Sequence, residues 1–297
     1  MDFLFFALLI LDLVIITGVM GAPPNQRFDE NYVVSWGNDH AKLTNEGRDL
    51  ELSMDHSSGS GFISKLSYGT GLFQMRIKLP AGGCAGVVTA FYLFSSTSKH
   101  DELDFEFLGN KKGKPITLQT NVFSNGQGNR EQRVILWFDP TADFHNYQIL
   151  WNEHQIVFFV DDVPIRVFKN NTNVGVKYPS QAMKVDASLW NGEDWATDGG
   201  KTKIDWSLSP FRVHFQGFNI DGCSATTLYQ NRNRSSTAST GRDCYSSAYW
   251  WNAEKYRNLT HKQQEQYENV RAHYMNYDYC SDRNRYPVQP PECRSNM

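Results

Sequence analysis

The run "KHDELDFEFLGN", Lys99 to Asn110, constrains the fold more tightly than any other segment. Glu102, Asp104 and Glu106 alternate there with Leu103, Phe105 and Phe107. Strand side chains point to opposite faces in turn, so three carboxylates share one side and three apolar groups the other. The apolar side demands a second layer to pack against. The acidic side demands water or a polar ligand. A sheet of this kind is half of a sandwich, and the rest of the chain supplies similar strands. "LFQMRIKL" (72–79) sets Phe73, Met75, Ile77 and Leu79 against Gln74, Arg76 and Lys78, and "FRVHFQ" (211–216) alternates likewise. "VTAFYLF" (88–94), "RVILWFD" (133–139) and "QIVFFVDD" (155–162) are denser apolar runs suited to a sandwich interior. Gly and Asn punctuate at 69–71, 124–129 and 191–194. Between about residues 31 and 220 there is no internal repeat and no helical period. Evenly spaced short strands with turn signals predict an all-β antiparallel sandwich or jelly roll.

The two ends differ from this pattern. Residues 3–20 are almost wholly apolar and are followed by the small residues Gly21 and Ala22, which reads as a secretory signal peptide over residues 1–21. Asp12 interrupts the run and no Lys or Arg precedes it, so an uncleaved anchor is the alternative reading. No later segment is apolar enough to cross a bilayer. Toward the C-terminus, Thr260 and Gln263 have capping-box spacing, and Tyr267, Val270, Arg271 and Tyr274 follow with helical spacing. One amphipathic helix is predicted, in an extension too small to fold alone and therefore packed on the sandwich.

Five cysteines fit an oxidising compartment. Cys223, Cys244, Cys280 and Cys293 allow three connectivities. Sequential pairing, Cys223 with Cys244 and Cys280 with Cys293, closes the shortest loops. Cys84 is left over as a small buried thiol. Sequons at Asn170, Asn233 and Asn258 agree with secretion. A net charge of −3 and a pI near 6.2 give no electrostatic reason to expect nucleic acid or an anionic membrane as partner. The one basic cluster, Asn231 to Arg242, has the composition of a solvated loop.

Three readings compete for the acidic face. A merely solvated face fits poorly, because like charges side by side destabilise a strand and solvated faces mix signs. A calcium or manganese site needs six or more oxygens, which alternate residues on a flat strand cannot wrap around an ion. No metal or cofactor is therefore expected. Retaining glycoside hydrolysis needs two carboxyls about 5–5.5 Å apart. Cα atoms at i and i+4 of a strand are roughly 13 Å apart, a gap that two glutamates leaning inward across a concave sheet can narrow. Asp104 between them would hold one proton in the cluster, leaving one carboxyl as acid and another as nucleophile. Ser-His-Asp and thiol chemistry have no support, since GxSxG, CxxC and HExxH are absent.

"HDELDFEFLGN" resembles the catalytic strand of the plant xyloglucan endotransglucosylase/hydrolases of glycoside hydrolase family 16. "AGVVTAFYL", "LQTNVF", "GNREQR", "LWFDPTADFHNYQILW", "VDDVPIR", "SLWNGEDWAT" and "RYPVQPPEC" are similar to that family too, so the resemblance runs from about Pro24 to Cys293. It implies a curved, concanavalin-like β-jelly roll over residues 22–222 with an open cleft, and a C-terminal extension over 223–297. It further implies Glu102 as nucleophile, Asp104 as assisting carboxylate and Glu106 as general acid/base. Gln119, Asn121, Glu131 and Arg133 would line the cleft, Trp190 and Trp195 would lie along the bound glucan, Gly199 would be a further substrate-binding position, and Tyr277 and Arg285 would shape the acceptor side. Leu103 stands where Ile is usual, and Asn110-Lys-Lys lacks the sequon that many members carry there.

The expected activity is cleavage of the β-1,4-glucan of xyloglucan with retention, followed by transfer of the fragment to another xyloglucan chain. The compact "NVFSNGQGNREQR" lacks the insertion of the hydrolytic branch, so hydrolysis is expected to be minor. The implied protein is a secreted monomer of the cell wall, or apoplast, free of the membrane once its leader is removed. Two alternatives stand beside this: a predominant xyloglucan hydrolase, and a lectin-like wall-binding module without turnover.

Overall fold

The computed structural model describes residues 26–225 and 242–294. The expected leader and the sequon at Asn233 lie outside them. Numbered along the chain, the strands form two antiparallel eight-stranded sheets. The first runs β1 (Tyr32–Trp36), β4 (Ser60–Ser64), β13 (Lys184–Asn191), β6 (Val87–Phe94), β7 (Glu102–Leu108), β8 (Thr117–Phe123), β9 (Gln132–Ile135) and β16 (Met275–Asp278). The second runs β12 (Val163–Lys169), β11 (Gln155–Val160), β10 (His145–Trp151), β5 (Tyr68–Lys78), β14 (Phe211–Gln216), β3 (Asp49–Met54) and β2 (Ala41–Thr44), with β15 (Ile220–Ser224) also paired to β5. The all-β expectation holds; after a short α1 (Phe28–Asn31), the C-terminal helix is α2 (His261–His273).

β7 shows why the layers close. Leu103, Phe105 and Phe107 are at most 2% exposed. Phe105 stacks on Phe91 and meets Phe158 edge-on at 5.2 Å, so the inner face of the first sheet interlocks with that of the second. Burying each such phenylalanine contributes roughly 1.5–3 kcal/mol.

Three expectations are corrected by packing. Residues 69–71, read as a turn, lie inside β5: a Cβ on Gly71 would sit 2.3 Å from the Asp221 carbonyl, so the glycine is there to let β15 come close. The run 133–139 is strand only to Ile135, whose N–H donates to the Tyr274 carbonyl. Beyond it Trp137 turns onto Phe138 and Tyr274 instead of continuing the ladder. The dense run 155–162 is apolar for a different reason from the one expected. Ile156 and Phe158 join the sandwich core, while Val157 and Phe159 face outward into a second cluster with Leu150, Trp251, Tyr267 and the Cys223–Cys244 pair. Both faces of β11 are buried, so its sequence cannot alternate. The hairpin after it turns through Asp161 and Asp162, both at positive φ.

The extension is therefore woven in as well as packed on. α2 starts with the expected capping box: the Gln263 N–H donates to Thr260 Oγ1 (3.3 Å) and the Thr260 N–H to Gln263 Oε1 (3.0 Å). It turns Tyr267 and Val270 inward against the sandwich. The chain then adds β16 to the edge of the first sheet, pairing with β9. Cys223 is bridged to Cys244 and Cys280 to Cys293, the sequential pairing. Cys84 is a buried free thiol.

Candidate active site

Strand register assembles the outer face of the first sheet into rows. Ser188, Ala90, Glu106, Gln119, Arg133 and Tyr277 are successive cross-strand partners on β13, β6, β7, β8, β9 and β16. The next row holds Asp186, Tyr92, Asp104 and Asn121, and the one beyond it Lys184, Phe94, Glu102 and Phe123. A cavity of about 510 Å³ opens over these rows, lined by the three β7 carboxylates with Tyr92, Phe94, Ser188, Trp190 and Trp36. Trp36 reaches it from β1 by lying across Gly61, where a Cβ would meet its Nε1 at 2.4 Å.

Burial pushes all three carboxyls upward, and it does so most for Asp104, which is 4% exposed and flanked by both glutamates. Asp104 also shares a hydrogen bond with Glu102, which holds the proton on Asp104 and favours the ionised form of Glu102. His100 Nε2 lies 3.1 Å from Glu102 Oε2, and its ring is wedged between Phe94 and Phe123. Asp186 is likewise raised, to about 7, by burial, against the opposing effect of its hydrogen bond with Tyr92.

On the other side, polar contacts chain outward from Glu106. Gln119 Nε2 donates to Glu106 Oε2 (2.7 Å), and Arg133 Nε donates to Gln119 Oε1 (2.7 Å). The Arg133 guanidinium lies over the Tyr277 ring at 5.4 Å. Arg285 reaches Glu131 (2.6 Å), Asn129 (2.6 Å) and the Tyr277 hydroxyl (3.5 Å). Glu106 and five further expected residues, Gln119, Arg133, Tyr277, Arg285 and Glu131, thus form one connected patch running from β7 to β16.

The remaining expected residues divide. Trp190 lines the cavity and Trp195 packs beside it, ring centroids 6.1 Å apart. Gly199 occupies the turn Asp198–Gly200 on the loop that carries Trp195. Asn121 shares a row with Asp104, but its Oδ1 accepts from the N–H groups of Val122 and Arg130, so that oxygen holds the β8–β9 loop. Asp101, the fourth acid of the opening run, also holds backbone: it accepts from the N–H groups of Asn125, Ser180 and Gln181. Among the described residues no group of three or more His, Cys, Asp or Glu side chains could hold a metal ion.

A sequence profile described as "Glycosyl hydrolases family 16" matches residues 28–208, and "Xyloglucan endo-transglycosylase (XET) C-terminus" matches residues 245–293. Xyloglucan endotransglucosylase/hydrolase protein 2 of Arabidopsis thaliana is 60% identical over 270 residues, covering 91% of this chain and 89% of that protein. The chain belongs to the xyloglucan endotransglucosylase/hydrolases of glycosyl hydrolase family 16. Xyloglucan endotransglucosylase protein 34 of Populus tremula x Populus tremuloides is 50% identical over 288 residues, covering 95% and 94% of the two chains. Among solved structures, a Bacillus licheniformis β-glucanase shares the fold at a TM-score of 0.51 and 24% identity, covering 63% of this chain and 89% of its own. A prokaryotic lichenase from a mouse hindgut metagenome does so at 0.52 and 23%, covering 65% and 93%.

For this member of the family, sequence reading missed Trp36, Tyr92, Phe94, His100, Asp186 and Ser188. One signal was available. "KVDASLWN" (184–191) alternates Asp186, Ser188 and Trp190 with Val185, Ala187 and Leu189, the same period as the acidic strand. Trp36 carried no such signal, because it reaches the cavity only through the pairing of β1 with β4.

Proposed function

We propose that the protein cleaves the β-1,4-glucan backbone of xyloglucan with retention and transfers the fragment to a second xyloglucan chain. Glu102 attacks the anomeric carbon, Glu106 protonates the departing oxygen, and Asp104 keeps its proton against Glu102 so that the nucleophile stays ionised. The observation that carries this reading is the file of three carboxylates along β7, Asp104 buried between two part-buried glutamates, with unequal partners. Glu102 shares a hydrogen bond with Asp104, whose carboxyl burial pushes well upward, and Glu106 accepts from Gln119. Membership of the family supports a polysaccharide substrate, and the names of the relatives supply xyloglucan.

Water and a sugar hydroxyl compete for the same glycosyl-enzyme, with Glu106 as base toward either. Transfer wins only where an acceptor is held in line, for which positioning can supply an effective molarity of about 10⁵ M or more. The patch of Gln119, Arg133, Tyr277, Arg285 and Glu131, continuous with Glu106, is the surface suited to that task, and Trp190 with Trp195 is the aromatic surface suited to the glucan. We take the sandwich (22–222) as the catalytic unit and 223–297 as the extension that completes the acceptor side. The working protein is in this reading a monomer secreted to the cell wall. Incubation with xyloglucan, with and without labelled oligosaccharide acceptor, tests it by product sizing. Chains that shorten equally fast without acceptor, with reducing ends rising in step, would show a hydrolase. Binding without any product would show a lectin-like module.

A further inference from the structure

A second cavity lies on the far side of the molecule, and the active-site chemistry leaves it unexplained. It is about 170 Å³, formed where the extension crosses the outer face of the second sheet, and Leu72, Leu150, Gln155, Trp250, Tyr256 and Asn258 are among its lining residues. Trp250 is 40% exposed and sits edge-on to Tyr256, ring centroids 5.1 Å apart, as an aromatic wall left open to solvent. Gln155 is 1% exposed, and its Nε2 donates to the Tyr256 carbonyl (3.0 Å). Its Oε1 is buried with no hydrogen-bond partner. At the rim stands Asn258, the exposed acceptor position of the sequon Asn258-Leu-Thr260.

We infer that Asn258 carries an N-linked glycan whose first N-acetylglucosamine docks in this cavity, pinning the extension to the outer face of the second sheet. The hollow is smaller than the roughly 300–1,000 Å³ of drug-sized sites, which suits one ring held by its own tether better than a free glucan chain. The ring's apolar face meets Trp250, and its hydroxyls stay in water at the open rim. Thr260 by itself argues nothing, since the helix cap already accounts for its hydroxyl. Asn170 differs from Asn258: its Nδ2 donates to the Glu153 carbonyl (2.7 Å) and its Oδ1 accepts from Thr172, a closed local turn. Attachment forms a bond between Asn258 Nδ2 and C1 of the sugar of a lipid-linked oligosaccharide diphosphate. The lipid diphosphate leaves with the bonding pair, and Asn258 gives up one proton. The inference rests on the secretion assigned above.

The test uses the full chain secreted from plant cells. Peptide mass mapping should find Asn258 occupied. Trimming the folded protein with an endoglycosidase that leaves one N-acetylglucosamine should keep Tm unchanged, whereas Asn258→Gln should lower it by about 2–4 °C. Trp250→Ala should cost stability in the glycosylated protein and much less in the Asn258→Gln background, the non-additivity expected of touching groups. An unoccupied Asn258 beside occupied Asn170 or Asn233 would overturn the site. Sugar at Asn258 with additive effects of the two substitutions, or a Tm that falls on trimming to one ring, would overturn the docking. A secreted chain bearing no sugar at any sequon would overturn the glycan itself, and a chain that is not secreted would overturn the proposal through the secretion it rests on, leaving the xyloglucan assay to judge the activity separately.

Discussion

On the first sheet, β7 turns Glu102, Asp104 and Glu106 away from the core. On the second, β10 and β11 turn Leu150, Val157 and Phe159 away from it. Both outer faces belong to regular antiparallel strands, and both carry groups that a bare sheet surface would not keep. The charged face is left open and accepts an electrostatic penalty, three carboxyls crowded under partial burial, which is the kind of penalty an active site uses to separate acid from nucleophile. The apolar face is closed by the extension, with Trp251 and Tyr267 filling it and a disulfide anchoring it. The same extension reaches the charged face by adding β16 beside Arg133. One segment therefore supports the fold on one side and, on our proposal, the acceptor surface on the other.

Glu102→Gln draws this contrast most sharply. Turnover should fall by about 10⁴-fold or more, because the glycosyl-enzyme cannot form. Tm should hold or rise, since a crowded carboxylate has been made neutral. Azide should partly rescue Glu102→Ala and give product of inverted anomeric configuration. Activity near that of the unchanged protein in Glu102→Gln would sink the assignment.

Removing the bridge on the covered face should do the reverse. Cys223→Ser with Cys244→Ser should destabilise by about 2–4 kcal/mol, with the extension released first. Limited proteolysis should cut after residue 225 before it cuts the sandwich, and a hydrophobic dye should bind the uncovered Leu150–Phe159 face. Cleavage that begins in the sandwich would show that the extension is not the weaker unit.

Asp186 connects the electrostatic penalty to pH. Its carboxyl is raised by burial from 3.8 to about 7, so the folded state binds its proton more tightly than the unfolded chain does. That contribution to stability is complete below pH about 3.8 and is lost as pH rises through about 7. Asp186→Asn should therefore flatten the fall in Tm between those limits. Parallel Tm profiles for the two proteins would refute the assigned shift.

The smallest expected effect is the most informative about transfer. Arg285 holds Glu131, Asn129 and Tyr277 together at the surface. Arg285→Ala should lower transfer about two- to fivefold, the scale of a partly exposed ion pair, while hydrolysis changes little. Equal losses in both would move Arg285 from acceptor binding to general support of the site.

Local chemistry made part of this legible in the chain. Alternation in β7, β5 and β14, the capping box at Thr260 and Gln263, and sequential pairing of four cysteines each depend on residues close in sequence, where a period of two or 3.6 carries the information. What the alternation of β7 could not say was which strands would lie beside it. Strand pairing gains similar backbone hydrogen bonds with almost any neighbour, so order and register are decided by long-range packing of the inner faces. That packing put β13 next to β6 and β16 next to β9, and so brought Ser188, Glu106, Gln119, Arg133 and Tyr277 into a single row. It also decided that Asp101 serves backbone while Asp104, three positions on, serves the cavity, although the two are the same residue in the same run. The sequence by itself determined the faces of individual strands, because side-chain direction is a local property. Only the tertiary structure decided which faces meet, because that choice is settled by contacts between residues far apart in the chain.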